Sequence, residues 1–271
     1  MTMKLPINLF KKKLANDRAQ LGLWLALAEP YAAEILATVG YDWLLIDGEH
    51  APNDLRRVLL QLQAIAPYAT HPIVRPVNND PALIKQYLDV GAQTLLVPMV
   101  ETGEQARSIV MAARYPPHGI RGVGSSLARA SRWGAVSQYL RHAADEICLL
   151  LQVENQRGMR HMEEIAAVDG VDGVFFGPAD LSASLGHLGQ PNHPAVRAAI
   201  EGGIRRVRAL GKAAGVLATD PAVADHYISC GASFVGVGAD TTLLLKSATT
   251  LRARFERGAE GLGPVSADSA Y

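Results

Sequence analysis

Short, continuous apolar runs alternate with helix-period stretches along the whole chain. The runs fall at residues 21–26, 43–47, 73–75, 94–97, 147–153, 173–176, 214–217 and 234–237. They are continuous rather than alternating, as parallel strands buried on both faces require. Amphipathic stretches separate them at 31–39, 54–66, 81–90, 104–114, 193–210, 221–229 and 241–254. Asn53, Asp80, Asp220 and Asp240 stand where N-caps belong, and Gly40, Gly91 and Gly231 stand where helices should stop. Eight β/α units in order predict one (β/α)₈ TIM barrel over residues 1–255, followed by a loose Gly-, Ala- and Ser-rich tail at 256–271. An open doubly wound sheet would carry a glycine-rich turn after its first strand. This chain has Leu25-Ala26-Leu27-Ala28-Glu29-Pro30 there. One connection, residues 116–145 between the fourth and fifth strands, is unusually long and holds Gly119, Gly122, Gly124, Arg129, Arg132 and Trp133. Its glycines would let backbone approach a ligand, which points to a lid or an interface; an ordinary surface excursion is the alternative.

Composition narrows the function classes. A length of 271 residues suits one α/β barrel, and 49% apolar residues can fill a large core. The net charge is zero, so no broad nucleic-acid footprint is expected, and Lys11-Lys12-Lys13 reads as a solvated helix start. Cys148 and Cys230 form neither a disulfide framework nor a CxxC site. No apolar segment reaches the ~20 residues of a membrane span, and no secretory h-region follows the N-terminus. The expectation is a soluble cytoplasmic protein with reduced thiols and no membrane partner.

The polar residues most out of place stand at strand ends. Trp24 lies near the end of strand one, Asp47, Glu49 and His50 follow strand two, Arg75 ends strand three, Gln152 and Glu154 end strand five, and Asp180 follows strand six. In a barrel these ends converge on one face, where the chemistry is done. Glu154 and Asp180 suit a hard divalent cation with waters or substrate oxygens completing its shell, and a 2-oxo acid offers two such oxygens. Taken singly, Asp180 could be the N-cap of a helix starting near Leu181, and Glu154 could pair with a rim arginine. The amides of Ala179 and Asp180 would open toward the cavity as a carboxylate seat. Arg75, inside the apolar Pro72-Ile73-Val74-Arg75-Pro76, could hold an enolate oxygen or form a rim salt bridge. His50 could be a general base oriented by Asp47, with Glu49 as the alternative acid. The lysines are Lys4, Lys11, Lys12, Lys13, Lys85, Lys212 and Lys246; none ends a strand, which disfavours Schiff-base chemistry.

Several long motifs then carry a resemblance. Leu44-Leu45-Ile46-Asp47-Gly48-Glu49-His50-Ala51-Pro52, Leu95-Leu96-Val97-Pro98-Met99-Val100 and Gly177-Pro178-Ala179-Asp180-Leu181-Ser182 resemble the HpcH/HpaI aldolase family, as do residues 72–76 and 119–133. The likeness runs over roughly residues 21–255. It implies a class II aldolase that cleaves 4-hydroxy-2-oxoheptanedioate to pyruvate and succinate semialdehyde with Mg²⁺, Mn²⁺ or Co²⁺. It implies Glu154 and Asp180 as metal ligands, Arg75 on the pyruvate oxygen, and His50 with Asp47 in proton transfer. It also implies Gln152 and Ala179 as pyruvate contacts, Trp24 and Leu217 as aldehyde-pocket walls, and Asp89 reaching a neighbouring subunit's site. The implied assembly is a homohexamer, a trimer of dimers with exchanged C-terminal helices. Three rivals stand beside this reading: a sister aldolase for 2-keto-3-deoxy sugar acids, an isomerase binding phosphate at Gly236-Val237-Gly238, and a non-catalytic metabolite-binding barrel.

Overall fold

Leucine, isoleucine and valine runs that bury both faces can only sit between two apolar layers, and a closed barrel provides them. The computed structural model describes residues 3–15 and 18–255, so the tail expected at 256–271 lies outside the described residues. Eight strands, β1 (Gln20–Leu25), β2 (Trp43–Asp47), β3 (His71–Arg75), β4 (Thr94–Val97), β5 (Cys148–Val153), β6 (Gly173–Phe176), β7 (Ala213–Leu217) and β8 (Phe234–Ala239), pair in parallel in chain order. β8 closes on β1 through Gln20–Phe234 and Leu21–Val235. The outer layer comprises α2 (Pro30–Ala37), α3 (Leu55–Ile65), α4 (Pro81–Asp89), α5 (Gly103–Ala113), α7 (Gln156–Ala166), α8 (Pro178–Ser184), α9 (Pro194–Ala209), α10 (Pro221–Ser229) and α11 (Asp240–Ala253). Two short helices, α1 (Leu9–Lys13) and α6 (Tyr139–His142), lie outside the β/α alternation.

Strand parity separates two cores. Leu44, Ile46, Val74, Leu95, Val97, Leu149, Leu151, Val174 and Phe176 face the helices. Their neighbours Trp43, Leu45, Ile73, Leu96, Cys148, Leu150, Phe175 and Phe234 fill the barrel interior. The large rings fit because the facing residues are glycine: a Cβ on Gly22 would enter the Trp43 ring, and one on Gly215 the Phe234 ring. α1 plugs the amino end of the barrel. Its Phe10 stacks on His71 at 5.6 Å and meets Phe234 edge-on at 5.9 Å. Asn8, fully buried, caps α1 through Lys11 N and donates to Thr94 Oγ1 at 2.9 Å. Lys11 is therefore not simply solvated: its Nζ donates to the Ile147 carbonyl at 2.7 Å.

Two expected caps are corrected. Asp54, not Asn53, caps α3 by accepting from Arg57 N at 2.7 Å. Asn53 instead donates to the Asp47 carbonyl at 2.8 Å. Asp240 is the first residue of α11 rather than its cap, and its carboxylate accepts from Ala26 N and Leu27 N at 2.9 and 3.1 Å. Asp80 and Asp220 cap α4 and α10 as expected.

The long connection lies where chain order puts it. It follows α5 and precedes β5, so it runs across the amino ends of the strands, opposite the face where strand-end residues gather. It cannot be a lid over this chain's own barrel mouth. Arg121 within it is buried, bonds Asp89 at 2.6 Å and lies 4.6 Å from the Tyr115 ring centre. Arg129 ties the connection to the Val90 carbonyl at 2.8 Å.

Candidate active site at the carboxyl ends of the strands

The parity that fills the barrel also aims the polar residues. Trp43 and Leu45 face inward, so Asp47 does too; Ile73 sets Arg75, and Cys148 and Leu150 set Gln152 and Glu154. Trp24 lies beneath them as the floor, 5.6 Å from both Trp43 and Phe175 ring centres. The Arg75 guanidinium carbon stands 5.9 Å from the Trp24 ring centre.

Arg75 and Asp47 form a buried fork: Nε to Oδ1 at 2.9 Å and Nη2 to Oδ2 at 2.6 Å. Burial pulls the guanidinium down, but Asp47, Glu49 and Glu154 together hold it above its ordinary value. Its Nη1 also sits 2.9 Å from Glu49 Oε2. Asp47 Oδ1 further accepts from the main-chain amides of Glu49 at 3.0 Å and His50 at 3.4 Å, pinning the turn. A side chain at Gly48 would strike the Arg75 carbonyl, which accepts from Gly48 N at 2.8 Å. Asp47 thus reaches His50 through its backbone, while the exposed His50 ring places Nε2 3.7 Å from Glu49 Oε2.

A further acid stands within reach of this fork's charge. Glu154 is buried; Oε1 accepts from Met99 N at 2.8 Å and Oε2 from the Gln152 amide. A Cβ at Gly177 would collide with that carboxylate, so glycine there makes its room. Burial pushes Glu154 up to about 7; its two hydrogen bonds oppose the rise, and Asp180 and Glu49 add to it. Glu49 is pushed up to about 6 by burial, against Arg75 and with help from Asp47 and Asp180. Asp180 is not the N-cap of α8. The helix starts at Pro178, with Gly177 as its cap, and Asp180 is exposed in the first turn.

The charge of Asp180 raises the cost of ionising both Glu49 and Glu154, Glu49 Oε2 has the Arg75 guanidinium to answer it, and Gln152 Oε1 is buried with no hydrogen-bond donor. The cluster is rich in oxygen acceptors and poor in donors. A hard divalent cation supplies what such a set lacks, and Glu154 with Asp180 fits one. The lysines among the described residues lie elsewhere: Lys85 on α4, Lys246 on α11, Lys212 just before β7, and the rest near the amino terminus.

Ala179 is half-buried in the first turn of α8, and Leu217, half-buried at the end of β7, packs against the interior core. Asp89 is not brought to this face; at the end of α4 it lies at the opposite end of its own barrel. The phosphate-binding alternative does not fit. Gly236 and Gly238 lie within β8, the Trp24 ring occupies the side-chain space of Gly236, and the Asp240 carboxylate sits at the start of α11. An open groove of about 620 Å³ between α5 and α7, around Arg107, Arg114 and Glu164, contains none of the strand-end residues.

Two participants stand out only in three dimensions. Glu49 was visible in the Asp-Gly-Glu-His turn, but spacing could not say which acids Arg75 meets. Met99, with φ of 54°, aims its amide at Glu154, and its sequence carries no cue for that left-handed backbone.

Comparison with known proteins agrees with this geometry. The model of the HpcH/HpaI aldolase/citrate lyase family matches residues 20–247. A hydroxypyruvate/pyruvate aldolase of Deinococcus radiodurans is 65% identical over 249 residues, covering 92% of this chain and 90% of that protein. A 4-hydroxy-2-oxo-heptane-1,7-dioate aldolase of Salmonella arizonae is 59% identical, covering 93% of this chain and 95% of that protein. The crystal structure of a family member from Burkholderia cenocepacia superposes with a TM-score of 0.88 at 42% identity, covering 91% of this chain and 98% of that one. With its strand-end acids, its arginine fork and this match along the barrel, the chain belongs to the HpcH/HpaI aldolase/citrate lyase family and is a carbon–carbon lyase.

Proposed function

We propose that the protein is a divalent-metal-dependent pyruvate aldolase that cleaves 4-hydroxy-2-oxoheptanedioate between C3 and C4 into pyruvate and succinate semialdehyde. The observation that carries this reading is the acceptor-rich cluster of Glu154, Asp180 and Glu49 facing the Arg75 fork. Glu154 and Asp180 would hold Mg²⁺, Mn²⁺ or Co²⁺, which supplies a Lewis acid for the 2-oxo acid. Arg75 has N–H groups left on its terminal nitrogens after the Asp47 fork, and these donate to the oxygen that gains charge as the bond breaks. His50, exposed at the mouth, takes the proton of the 4-hydroxyl. Gln152, through its unpaired Oε1, and Ala179 contact the pyruvate end; Trp24 and Leu217 wall the aldehyde end.

The assembly belongs to the same proposal: a homohexamer, a trimer of dimers, in which α11 is exchanged and Asp89 completes a neighbour's site. Leu244, Leu245 and Leu251 are exposed on α11 and Phe255 just after it, and buried Arg121 leaves Nε and Nη1 without hydrogen-bond partners beside Asp89. Among the described residues no helix is long and apolar enough to cross a membrane.

A second reading uses the same site with hydroxypyruvate in place of pyruvate. The name of the 65% identical relative favours it. The test strips the protein with chelator and follows pyruvate release from 4-hydroxy-2-oxoheptanedioate, then repeats it with Mg²⁺ or Mn²⁺. Release restored by metal is the expected outcome. Slower release than from 2-keto-3-deoxy sugar acids, or than aldol addition of hydroxypyruvate to an aldehyde, would move the physiological substrate to that rival. Release unaffected by chelation would overturn the metal-dependent reading, and no reaction with any of these substrates would favour a binding protein.

A further inference from the structure

A second cluster of ligating side chains lies on the outer helical layer, away from the barrel mouth. His226 is in the last turn of α10 and Cys230 is its C-cap, four residues on, so both project from one face. Glu201 approaches from α9. Glu201 Oε1 lies 2.8 Å from His226 Nε2, and Cys230 Sγ lies 3.8 Å from the same nitrogen. The donor atoms of all three residues fall within 4.8 Å of one another, and all three side chains are half-buried.

An exposed glutamate–histidine pair alone would contribute about 0–1 kcal/mol and call for no cysteine. The convergence of a carboxylate, an imidazole and a thiol from two helices is different in kind. Donors around a tetrahedral zinc ion, at about 2.0–2.3 Å from it, stand about 3.3–3.8 Å apart. The cysteine–histidine edge already has that length, and the glutamate–histidine edge needs to open by about 0.5 Å. Sulfur and imidazole select a softer ion than the oxygen-only set at the barrel mouth. The exposed Arg205, whose Nη2 lies 3.7 Å from Cys230 Sγ, would have to swing into solvent on binding.

We propose that Glu201, His226 and Cys230 form a second metal site, selective for a thiophilic divalent ion of the Zn²⁺ type, with its fourth position open to water and α9 clamped to α10. The site is independent of the aldolase reading.

Cobalt distinguishes the two centres, because only a thiolate ligand gives a near-ultraviolet sulfur-to-cobalt charge-transfer band. Titrating the metal-stripped full-length protein with Co²⁺ should develop that band to saturation, at the amplitude of one thiolate–cobalt centre per chain. It should persist in Glu154→Gln, vanish in Cys230→Ser, and need at least about tenfold more Co²⁺ in His226→Ala and Glu201→Gln. A folded protein that shows no band overturns the proposal. So does a band that survives Cys230→Ser, which would report Cys148, or one lost in Cys230→Ser but unchanged in both other variants, which would report a lone thiol.

Discussion

The two ends of the barrel are built from opposite chemistry. At the carboxyl end, acids crowd together: Glu49 and Glu154 are raised to about 6 and about 7, and Gln152 Oε1 is buried without a donor. At the amino end, the interior is sealed by Phe10 and Leu14, and Asn8 and His71 each meet a protein partner, with Gln20 Oε1 alone there left unpaired among the described barrel-interior groups. One end carries the electrostatic cost of crowded, buried acids, which the proposed cation would offset, whereas the other provides the packing that tolerates it. The same strands serve both ends, since the parity that buries Trp43 and Leu45 also aims Asp47 inward.

The largest expected effect breaks that division from below. Phe10→Ala removes a ring that touches Trp43, His71 and Phe234 inside the barrel. It should cost about 3–5 kcal/mol of unfolding free energy, read by denaturant titration. Turnover measured well below the unfolding transition should change by less than about twofold, because nothing at the mouth touches Phe10. A large fall in kcat with the fold intact would show that the two ends are coupled.

From above, the sharper probe is Arg75→Lys. An alanine would leave Asp47 buried and unpaired and so confound folding with chemistry. Lysine keeps the charge but loses the planar fork that both holds Asp47 and faces the substrate. The expected result is a fall in kcat of about 10²–10³-fold, roughly 3–4 kcal/mol. Near-normal turnover would remove Arg75 from charge stabilisation and leave it as a structural rim pair.

The amino end was the harder of the two to read. Apolar runs at 43–47, 94–97 and 173–176 coincide with β2, β4 and β6, because a strand buried on both faces leaves an unbroken signal. Strand-end residues were legible for the same reason: once the strands are placed, parity states which side chains enter the barrel. What pattern cannot supply is partner choice. Asp47 could have turned to His50 or to Arg75, and only the register Asp47–Arg75 between β2 and β3 decides it. α7 was missed because it is polar overall, although its buried residues Gly158, Met162, Ile165 and Ala166 stand at helical spacing and form one inward stripe. The position of residues 116–145 was available from chain order, since a segment between helix and strand belongs at the amino end. Glycine content drew attention to a ligand and away from that topology.

The smallest effect separates the two ends by pH. Burial, with Lys13 nearby, lowers His71 to about 4, and its Nε2 lies 2.8 Å from Thr94 Oγ1. Its folded value lies below the ordinary one of about 6.5, so between these values the unfolded chain binds the extra proton. Its contribution to stability is therefore full above about pH 6.5 and is lost as the pH falls toward 4, amounting to about 2 kcal/mol by pH 5. Glu49 and Glu154 act with the opposite sign in the metal-free protein: their raised values let the folded state take up protons first, so acidification favours folding through them. The measured curve of one protein mixes the two ends, whereas the difference between wild type and His71→Gln cancels the rim. That difference should be flat above about pH 7 and should shift in favour of the variant as the pH drops to 5. A flat difference throughout would mean that His71 titrates as it does in the unfolded chain, and that the amino-end seal admits a charge as readily as the acid-lined mouth.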